Sequence, residues 1–324
     1  MYLIIQIPCY NEADTLAATV AGIPLHIPGV ERIETLVIDD GSTDGTAEVA
    51  RSAGVDHVVR LPGHKGLATA FQAGLEACLE LGADMIVNTD GDNQYPQADI
   101  PRLVSLILER QADIVIGDRQ VGTVEHFSPF KRRLQQWGSW AVCQAAGTRV
   151  PDATSGFRAY SREAALRLSL LTRYTYTLET IIQAGQKGLR VAYLPIQVNQ
   201  PTRASRLIQS NWSYVRRSAG TILRLYALYQ PLRTFFYLGL PFFCVGLLSL
   251  VRYGYFYVID QGGIGRHVQS LVVGGTLLTV GFLLFVLGIL AELMAANRAL
   301  TEDALYRIKR LETARRGRPG AEEE

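Results

Sequence analysis

Asp84-Met85-Ile86-Val87-Asn88-Thr89-Asp90-Gly91-Asp92-Asn93-Gln94 is an apolar run that ends abruptly in two carboxylates spaced i, i+2, with a side-chain amide two residues further on. Side chains alternate along a strand, so a strand ending this way is expected to point both acids into one crevice. Asp90, Asp92 and Gln94 then form an all-oxygen donor set of the kind that hard cations prefer. Mg²⁺ or Mn²⁺ held there would grip a diphosphate.

Working outward, strand and helix signals alternate. Tyr2–Ile7, Thr35–Ile38, His57–Leu61, Asp84–Thr89 and Ile114–Ile116 read as strands, and Glu12–Gly22, Thr43–Ala53, Gly66–Leu81 and Ile100–Arg110 as helices. Such alternation implies βαβ units and a mainly parallel sheet with helices on both faces. Ligands of such sheets bind outside the carboxyl ends of the strands. The polar clusters Pro8–Glu12, Asp39–Ser42 and Asp90–Gln94 all fall at those ends, so they are expected to converge on one crevice.

The turn after the first strand reads Pro8-Cys9-Tyr10-Asn11-Glu12 and not G-x-G-x-x-G, which disfavours a nicotinamide-type dinucleotide site. It offers a ring, an amide and a carboxylate, which suit a nucleobase and ribose; the competing use is helix capping by Asn11. Asp39 and Asp40 add acceptors for a base N–H or a ribose hydroxyl, or an N-cap for the next helix. His64-Lys65-Gly66 places a cation and backbone N–H groups at a helix N-terminus, where a phosphate is welcome.

The formal charge of +2 over 324 residues gives no reason to expect nucleic acid as a partner. Cys9, Cys78, Cys143 and Cys244 have no C-x-x-C spacing and read as reduced thiols, neither a disulfide frame nor a zinc site. Met1 runs straight into a strand without a basic stretch and apolar core, so a secretory leader is not expected. After about residue 233 the composition changes. Phe235–Val251 is apolar apart from Ser249, the aromatic-rich Tyr253–Ile259 can lengthen it, and Val268–Leu290 carries no charge. Each reaches the ~20 residues that span a bilayer core. A buried hairpin in a soluble domain is the alternative, disfavoured by two adjacent uncapped runs joined through Gln261-Gly262-Gly263. Arginines crowd residues 203–233 without an acid, and Arg298, Arg307, Lys309 and Arg310 follow the second run, whereas the connecting loop has only Arg266 with Arg252 at its edge. The positive-inside rule puts both ends in the cytoplasm, at the inner (plasma) membrane. Gly274, Gly275, Gly281 and Gly288 permit close helix packing, so a homo-oligomer is compatible with the chain. The charged segment after Thr301 reads as a solvated, fraying helix.

Taken together, Ile7-Pro8-Cys9-Tyr10-Asn11-Glu12, Val37-Ile38-Asp39-Asp40-Gly41-Ser42-Thr43-Asp44-Gly45-Thr46, Thr89-Asp90-Gly91-Asp92-Asn93-Gln94-Tyr95-Pro96, Ile116-Gly117-Asp118-Arg119 and Asp152-Ala153-Thr154-Ser155-Gly156-Phe157-Arg158 resemble the GT-A, family 2 inverting glycosyltransferases. With the two apolar segments, the chain is most similar to the polyprenyl-phosphate (dolichol-phosphate-type) sugar synthases, over residues 1 to about 295. The resemblance implies a Rossmann-like catalytic domain (1–202), a basic loop with juxtamembrane amphipathic helices (203–233), two transmembrane helices (234–295) and a charged cytoplasmic tail (296–324). It implies a UDP- or GDP-linked sugar as donor and a polyprenyl phosphate as acceptor. Pro8, Tyr10, Asn11, Glu12, Val37, Asp39, Asp40, Lys65, Asp90 and Gly91 would line the nucleotide; Asp90, Asp92 and Gln94 would hold the metal. Arg119 and Arg132 would meet the acceptor phosphate and, with Asp92, carry catalysis. Arg203 and Arg206 fall where the family has a basic closing loop, although Arg203-Ala204-Ser205-Arg206 departs from its usual Arg, Gly-containing spacer and Ser-Lys. Gln136 stands on the acceptor side where relatives often have Ser.

Inverting transfer to a sugar hydroxyl needs a general base. The acid pair and Gln-x-x-Arg-Trp of related polymer synthases are missing: the corresponding regions read Thr177-Leu178-Glu179, Gln135-Gln136-Trp137 and Gln209-Ser210-Asn211-Trp212. A phosphate acceptor is already anionic and needs cations instead, which arginine supplies. A hydroxyl-directed or processive membrane glycosyltransferase, and a non-catalytic membrane scaffold with a nucleotide-binding domain, are the competing readings.

Overall fold

The computed structural model describes residues 1–120, 143, 147, 150–170, 176–199, 220, 223–224, 226–259 and 268–316. They fall into two units, Met1–Ser218 with Glu302–Glu324, and Ala219–Thr301. The elements of the first are β1 (Tyr2–Cys9), α1 (Ala13–Ala21), β2 (Arg32–Asp39), α2 (Thr46–Ser52), β3 (His57–Arg60), α3 (Leu67–Glu80), β4 (Met85–Asn88), α4 (Ile100–Leu108), β5 (Ile114–Asp118), β6 (Arg158–Ser161), α5 (Arg162–Arg167), α6 (Tyr176–Gln186) and β7 (Val191–Pro195). The seven strands form one sheet, β3-β2-β1-β4-β6-β5-β7. β1 pairs in parallel with β2 and β4, β2 with β3 and β5 with β7, while β6 runs antiparallel to both β4 and β5. The sheet is mainly parallel, as expected. The reversed strand was not: Arg158-Ala159-Tyr160-Ser161 has neither an apolar run nor an alternating pattern.

β1 is central, and Leu3, Ile4, Ile5 and Ile7 are all fully buried. A strand covered on both faces is apolar at nearly every position, which explains the run in the sequence; the buried exception, Gln6, donates to Asn88 Oδ1 at 2.9 Å. One face packs Leu3, Ile5, Ile7, Val37, Val87 and Val115 against Leu16 of α1, Ala50 of α2 and Ile100, Leu103, Val104 and Ile107 of α4. On the other, α3 comes so close that a Cβ on Gly74 would lie 2.5 Å from Gln6 Oε1 and 2.7 Å from Ile38 Cδ1. Phe71 of α3 stacks on Tyr176 of α6 at 4.0 Å. The helix expected from Thr43 starts only at Thr46, because Gly45 sits at φ 82° and Asp44 accepts the Thr46 and Ala13 N–H groups at 3.0 and 3.1 Å.

The second unit contains α7 (Pro231–Ile259) and most of α8 (Val268–Arg316). Both are long and apolar enough to cross a membrane. Leu248, Val258, Val272 and Leu287 point outward, so these are not the core helices of a soluble domain. The two pack through glycines seven residues apart. Cβ atoms on Gly239, Gly246 and Gly281 would lie 2.8, 2.7 and 2.8 Å from Phe285, Leu278 N and Phe243 N, and one on Gly288 would lie 3.0 Å from Phe235. Gly274, Gly281 and Gly288, which the sequence left available to a partner copy, are therefore used inside the hairpin; Gly275 has nothing within 4 Å.

The last turns of α8 belong to the first unit and differ from the expected solvated end. Glu302, Tyr306, Lys309 and Thr313 form a partly buried stripe at helical spacing. Lys187 Nζ meets Glu302 Oε2 at 2.8 Å, Tyr306 Oη donates to Glu163 Oε1 at 2.9 Å and Lys309 Nζ meets Glu76 Oε1 at 3.2 Å. Arg167 lies over the Tyr306 ring at 5.3 Å. Charges that look solvated in the sequence have partners more than a hundred residues away.

Candidate functional site

The register Cys9↔Asp39 and Gln6↔Asn88 brings the carboxyl ends of β1, β2 and β4 side by side. Their loops are tied to one another. Asp40 N donates to Cys9 O at 2.9 Å and Thr89 N to Gln6 O at 3.1 Å. Asn11, at φ 56°, does not cap α1: its Oδ1 accepts the Thr43 N–H at 2.9 Å, and its own N–H donates to Ser42 Oγ at 2.9 Å. Asp39 is fully buried at the end of β2; its Oδ1 accepts the Ser42 N–H at 2.8 Å and its Oδ2 lies 3.3 Å from Arg60 Nε. Tyr10 is partly exposed and its ring stacks on His64 at 3.9 Å. Pro8 and Val37 are buried on the strands beneath.

Asp40 is used differently from its expectation. Its two oxygens accept the Lys65 and Gly66 N–H groups at 2.7 and 2.8 Å, and Oδ2 lies 2.7 Å from His64 Nδ1. The backbone N–H groups expected to receive a phosphate before α3 are thus already taken, which leaves the exposed Lys65 side chain as the cation there. Gly41, at φ 72°, must be glycine on two counts, since a Cβ would also lie 2.5 Å from Gly63 C.

β4 stops at Asn88, so Asp90 and Asp92 stand on a loop. The strand alternation invoked for them does not apply. They converge through a turn in which Asn93 takes φ 57° and Asp92 Oδ1 accepts the Gln94 N–H at 3.1 Å. Burial, then the charge of Asp92, pushes the Asp90 carboxyl up to about 7, against a pull from Arg119. Burial and the neighbouring acid make Asp90 costly to ionise, a cost that a bound cation would offset. Among the described residues no three His, Cys, Asp or Glu gather around one point. The donor set is two carboxylates and the Gln94 amide, which fits an ion such as Mg²⁺ or Mn²⁺ that takes its other ligands from water and phosphate. Thr15 braces the same loop: its Oγ1 donates to Gly91 O at 2.8 Å and lies 3.2 Å from Glu12 Oε2, and a Cβ on Gly91 would lie 2.9 Å from Cys9 Sγ.

The wall behind Asp90 comes from residues 152–156. A Cβ on Gly156 would lie 3.0 and 3.1 Å from the Asp90 oxygens, so only glycine lets this turn approach. Gly156 N donates to Tyr95 Oη at 2.9 Å and Asn88 Nδ2 to Gly156 O at 2.8 Å. Burial and the nearby Asp90 charge push the Tyr95 phenol up to about 12. Fully buried Arg158 clamps the turn from below, donating to Ser155 O at 2.7 Å, Thr177 O at 2.9 Å and Thr180 Oγ1 at 2.6 Å. Arg119, just past β5, donates from Nε and Nη2 to the two Asp152 oxygens at 2.8 and 3.1 Å and from Nη2 to Thr154 Oγ1 at 2.5 Å. Burial alone would raise the Asp152 carboxyl, but the Arg119 bonds and charge outweigh it and hold it below the ordinary value.

The described structure thus gathers Tyr10, Glu12, Asp39, Asp40, Asp90, Gly91, Asp92, Gln94 and Arg119 around one set of strand ends. Arg132, Gln136, Arg203 and Arg206 lie outside the described residues. Sequence reasoning gave no role to Asp152, His64, Tyr95 or Asn88; each was inside or beside a quoted motif, but nothing in the spacing paired it with its partner. A cavity of about 430 Å³ lined by Val20, Ile23, Leu25, Ile33 and Asp56 lies where β2 begins, away from these residues.

Comparison with known proteins identifies the family and the fold. The family described as "Glycosyl transferase family 2" matches residues 4–168. The undecaprenyl-phosphate mannosyltransferase of Micrococcus luteus is 30% identical over 207 residues, which is 60% of this chain and 83% of that one. Glycosyltransferase AglJ of Haloferax volcanii is 29% identical over 319 residues, 94% of this chain and 96% of its own. Glucosyl-3-phosphoglycerate synthase of Mycobacterium tuberculosis, solved with Mn²⁺, UDP and its product, shares the fold with a TM-score of 0.55 at 24% identity, over 70% of this chain and 80% of that one. The match covers just over half the chain, the part that holds most of the mainly parallel sheet and its strand-end loops, and this protein belongs to glycosyltransferase family 2.

Proposed function

We propose that this chain is a membrane-bound inverting transferase that moves one sugar from a UDP- or GDP-linked donor to a polyprenyl phosphate at the cytoplasmic face. The observation that carries the reading is Arg119, a cation fixed beside the Asp90 and Asp92 pair by a buried carboxylate. Such a cation suits an acceptor that is itself an anion. The only acid of the Thr177-Leu178-Glu179 segment, Glu179, is fully buried within α6 and is no base for a hydroxyl. Relatives named for polyprenyl-phosphate sugar transfer point the same way.

In this reading Tyr10, Asp39 and Glu12 receive the nucleoside, and Asp90, Asp92 and Gln94 would hold Mg²⁺ or Mn²⁺. When bound, that ion supplies charge neutralisation at the diphosphate. An acceptor phosphate oxygen forms the new bond to the anomeric carbon as the bond to the nucleoside diphosphate breaks, and the configuration inverts. No proton has to move, so no base is required. Arg119 offsets the repulsion between the two anions; Arg132, Gln136, Arg203 and Arg206 are proposed to complete the acceptor side. The test is purified protein with radiolabelled UDP- and GDP-sugars, polyprenyl phosphate and Mn²⁺. Label in the organic phase as one sugar per lipid phosphate is expected. Label in a polymer, or none in lipid, overturns the proposal.

A further inference from the structure

We propose that Asp152 is the positioning residue for Arg119, setting which edge of the guanidinium is offered to the acceptor. The inference rests on the functional reading above. Arg119 is held at four points. Its N–H donates to Asp152 Oδ2 at 3.3 Å, Nε to the same oxygen at 2.8 Å, and Nη2 to Asp152 Oδ1 at 3.1 Å and to Thr154 Oγ1 at 2.5 Å. The Nε–Nη2 edge, the fork arginine normally turns to an anionic ligand, is therefore consumed by the protein. Nη1 has no hydrogen bond to any described residue. The backbone on either side is fixed too: Gln120 takes φ 51° with its N–H on Asp118 Oδ1 at 2.9 Å, and Ile196 N donates to Asp118 O at 2.9 Å.

Asp152 is almost fully buried and does a second job, accepting the Thr154 and Ser155 N–H groups at 3.0 and 3.2 Å through Oδ1. The two roles use chemically separable features. In Asp152→Asn the amide oxygen can keep the turn, while the new NH₂ faces the guanidinium donor to donor and releases it. The clamp removes in advance the rotamer freedom that acceptor binding would otherwise have to remove.

The experiment compares full-length wild type, Asp152→Asn, Arg119→Gln and the double variant for kcat and KM toward polyprenyl phosphate, with Mn²⁺-dependent nucleotide binding as the measure of an intact fold. Asp152→Asn is expected to lower kcat/KM for the lipid by ten- to a hundredfold, on the order of what small misplacements cost, with nucleotide affinity within about twofold of wild type. In the Arg119→Gln background it is expected to cost nothing further. Additive losses, or a harmless Asp152→Asn beside a crippled Arg119→Gln, overturn the positioning role and leave the functional reading standing. A fully active Arg119→Gln overturns both. Should Asp152→Asn lose nucleotide binding, Thr154→Val decides, because it removes the Thr154 Oγ1 bond to Arg119, with its 3.1 Å bond to Asp152 Oδ1, and leaves the carboxylate in place: its smaller loss must also vanish in the Arg119→Gln background, and persistence there overturns the proposal.

Discussion

Asp90 is a carboxylate that costs this fold stability when it ionises. Burial and Asp92 raise its carboxyl to about 7, above the ordinary carboxylate value near ~4, so the ionised form destabilises the metal-free fold. The sign is that of an acid with a raised folded-state pKa. The cost is absent below pH ~4, grows between ~4 and about 7, and is complete above that. Asp90→Asn should therefore melt higher than wild type in chelator at pH 8, by at least ~2–4 °C, and the gap should close at pH 4; equal melting temperatures at pH 8 would contradict this account. Asp92→Ala should weaken Mn²⁺-dependent nucleotide binding by at least about a hundredfold while the protein stays folded, as titration calorimetry and circular dichroism can check. Neighbouring residues show how local chemistry misleads. His64-Lys65-Gly66 has the look of a phosphate site, yet Asp40 has already taken the Lys65 and Gly66 N–H groups.

At the scale of elements, close approach sets the sequence. Gly74 lets α3 reach the sheet, Gly156 lets the 152–156 turn reach Asp90, and the glycine ladder seats α7 on α8. Gly246→Leu should destabilise the hairpin by about 1–3 kcal/mol, the usual cost of overpacking, because its side chain would begin 2.7 Å from Leu278 N. Gly254→Ala, with nothing within 4 Å, is the neutral comparison. Thermal unfolding in detergent separates the two. The alternation of strands and helices through Asp118 was legible because short apolar runs alternate with helical stretches and end in polar clusters. β6 was not: Arg158-Ala159-Tyr160-Ser161, with its buried arginine, carries no apolar run or alternation, and the strand is recognised by its antiparallel pairing with β4 and β5.

At the scale of the whole molecule, each unit is held by contacts distant in sequence. The first unit closes on its own C-terminal helix through Lys187–Glu302, Glu163–Tyr306 and Glu76–Lys309. Lys187 and Glu302 are mostly buried, so removing one partner should cost on the order of 1–3 kcal/mol. Lys187→Glu and Glu302→Lys should each lower the melting temperature, and the double swap should recover much of the loss. If the double variant is as unstable as the sum of the singles, the helix is not held by this pair.

The sequence by itself determined the alternating α/β order, the two segments apolar enough for a bilayer and the polar clusters at the strand ends, because these depend on residue type and short-range period. Tertiary structure alone decided that Asp90 and Asp92 converge through a turn, that a reversed strand enters the sheet, and that the C-terminal charges are paired. It also decided that Arg119 is locked by Asp152, 33 positions away. Such pairings follow from which loops the closed sheet brings within bonding distance, and neither hydropathy nor spacing along the chain records that distance.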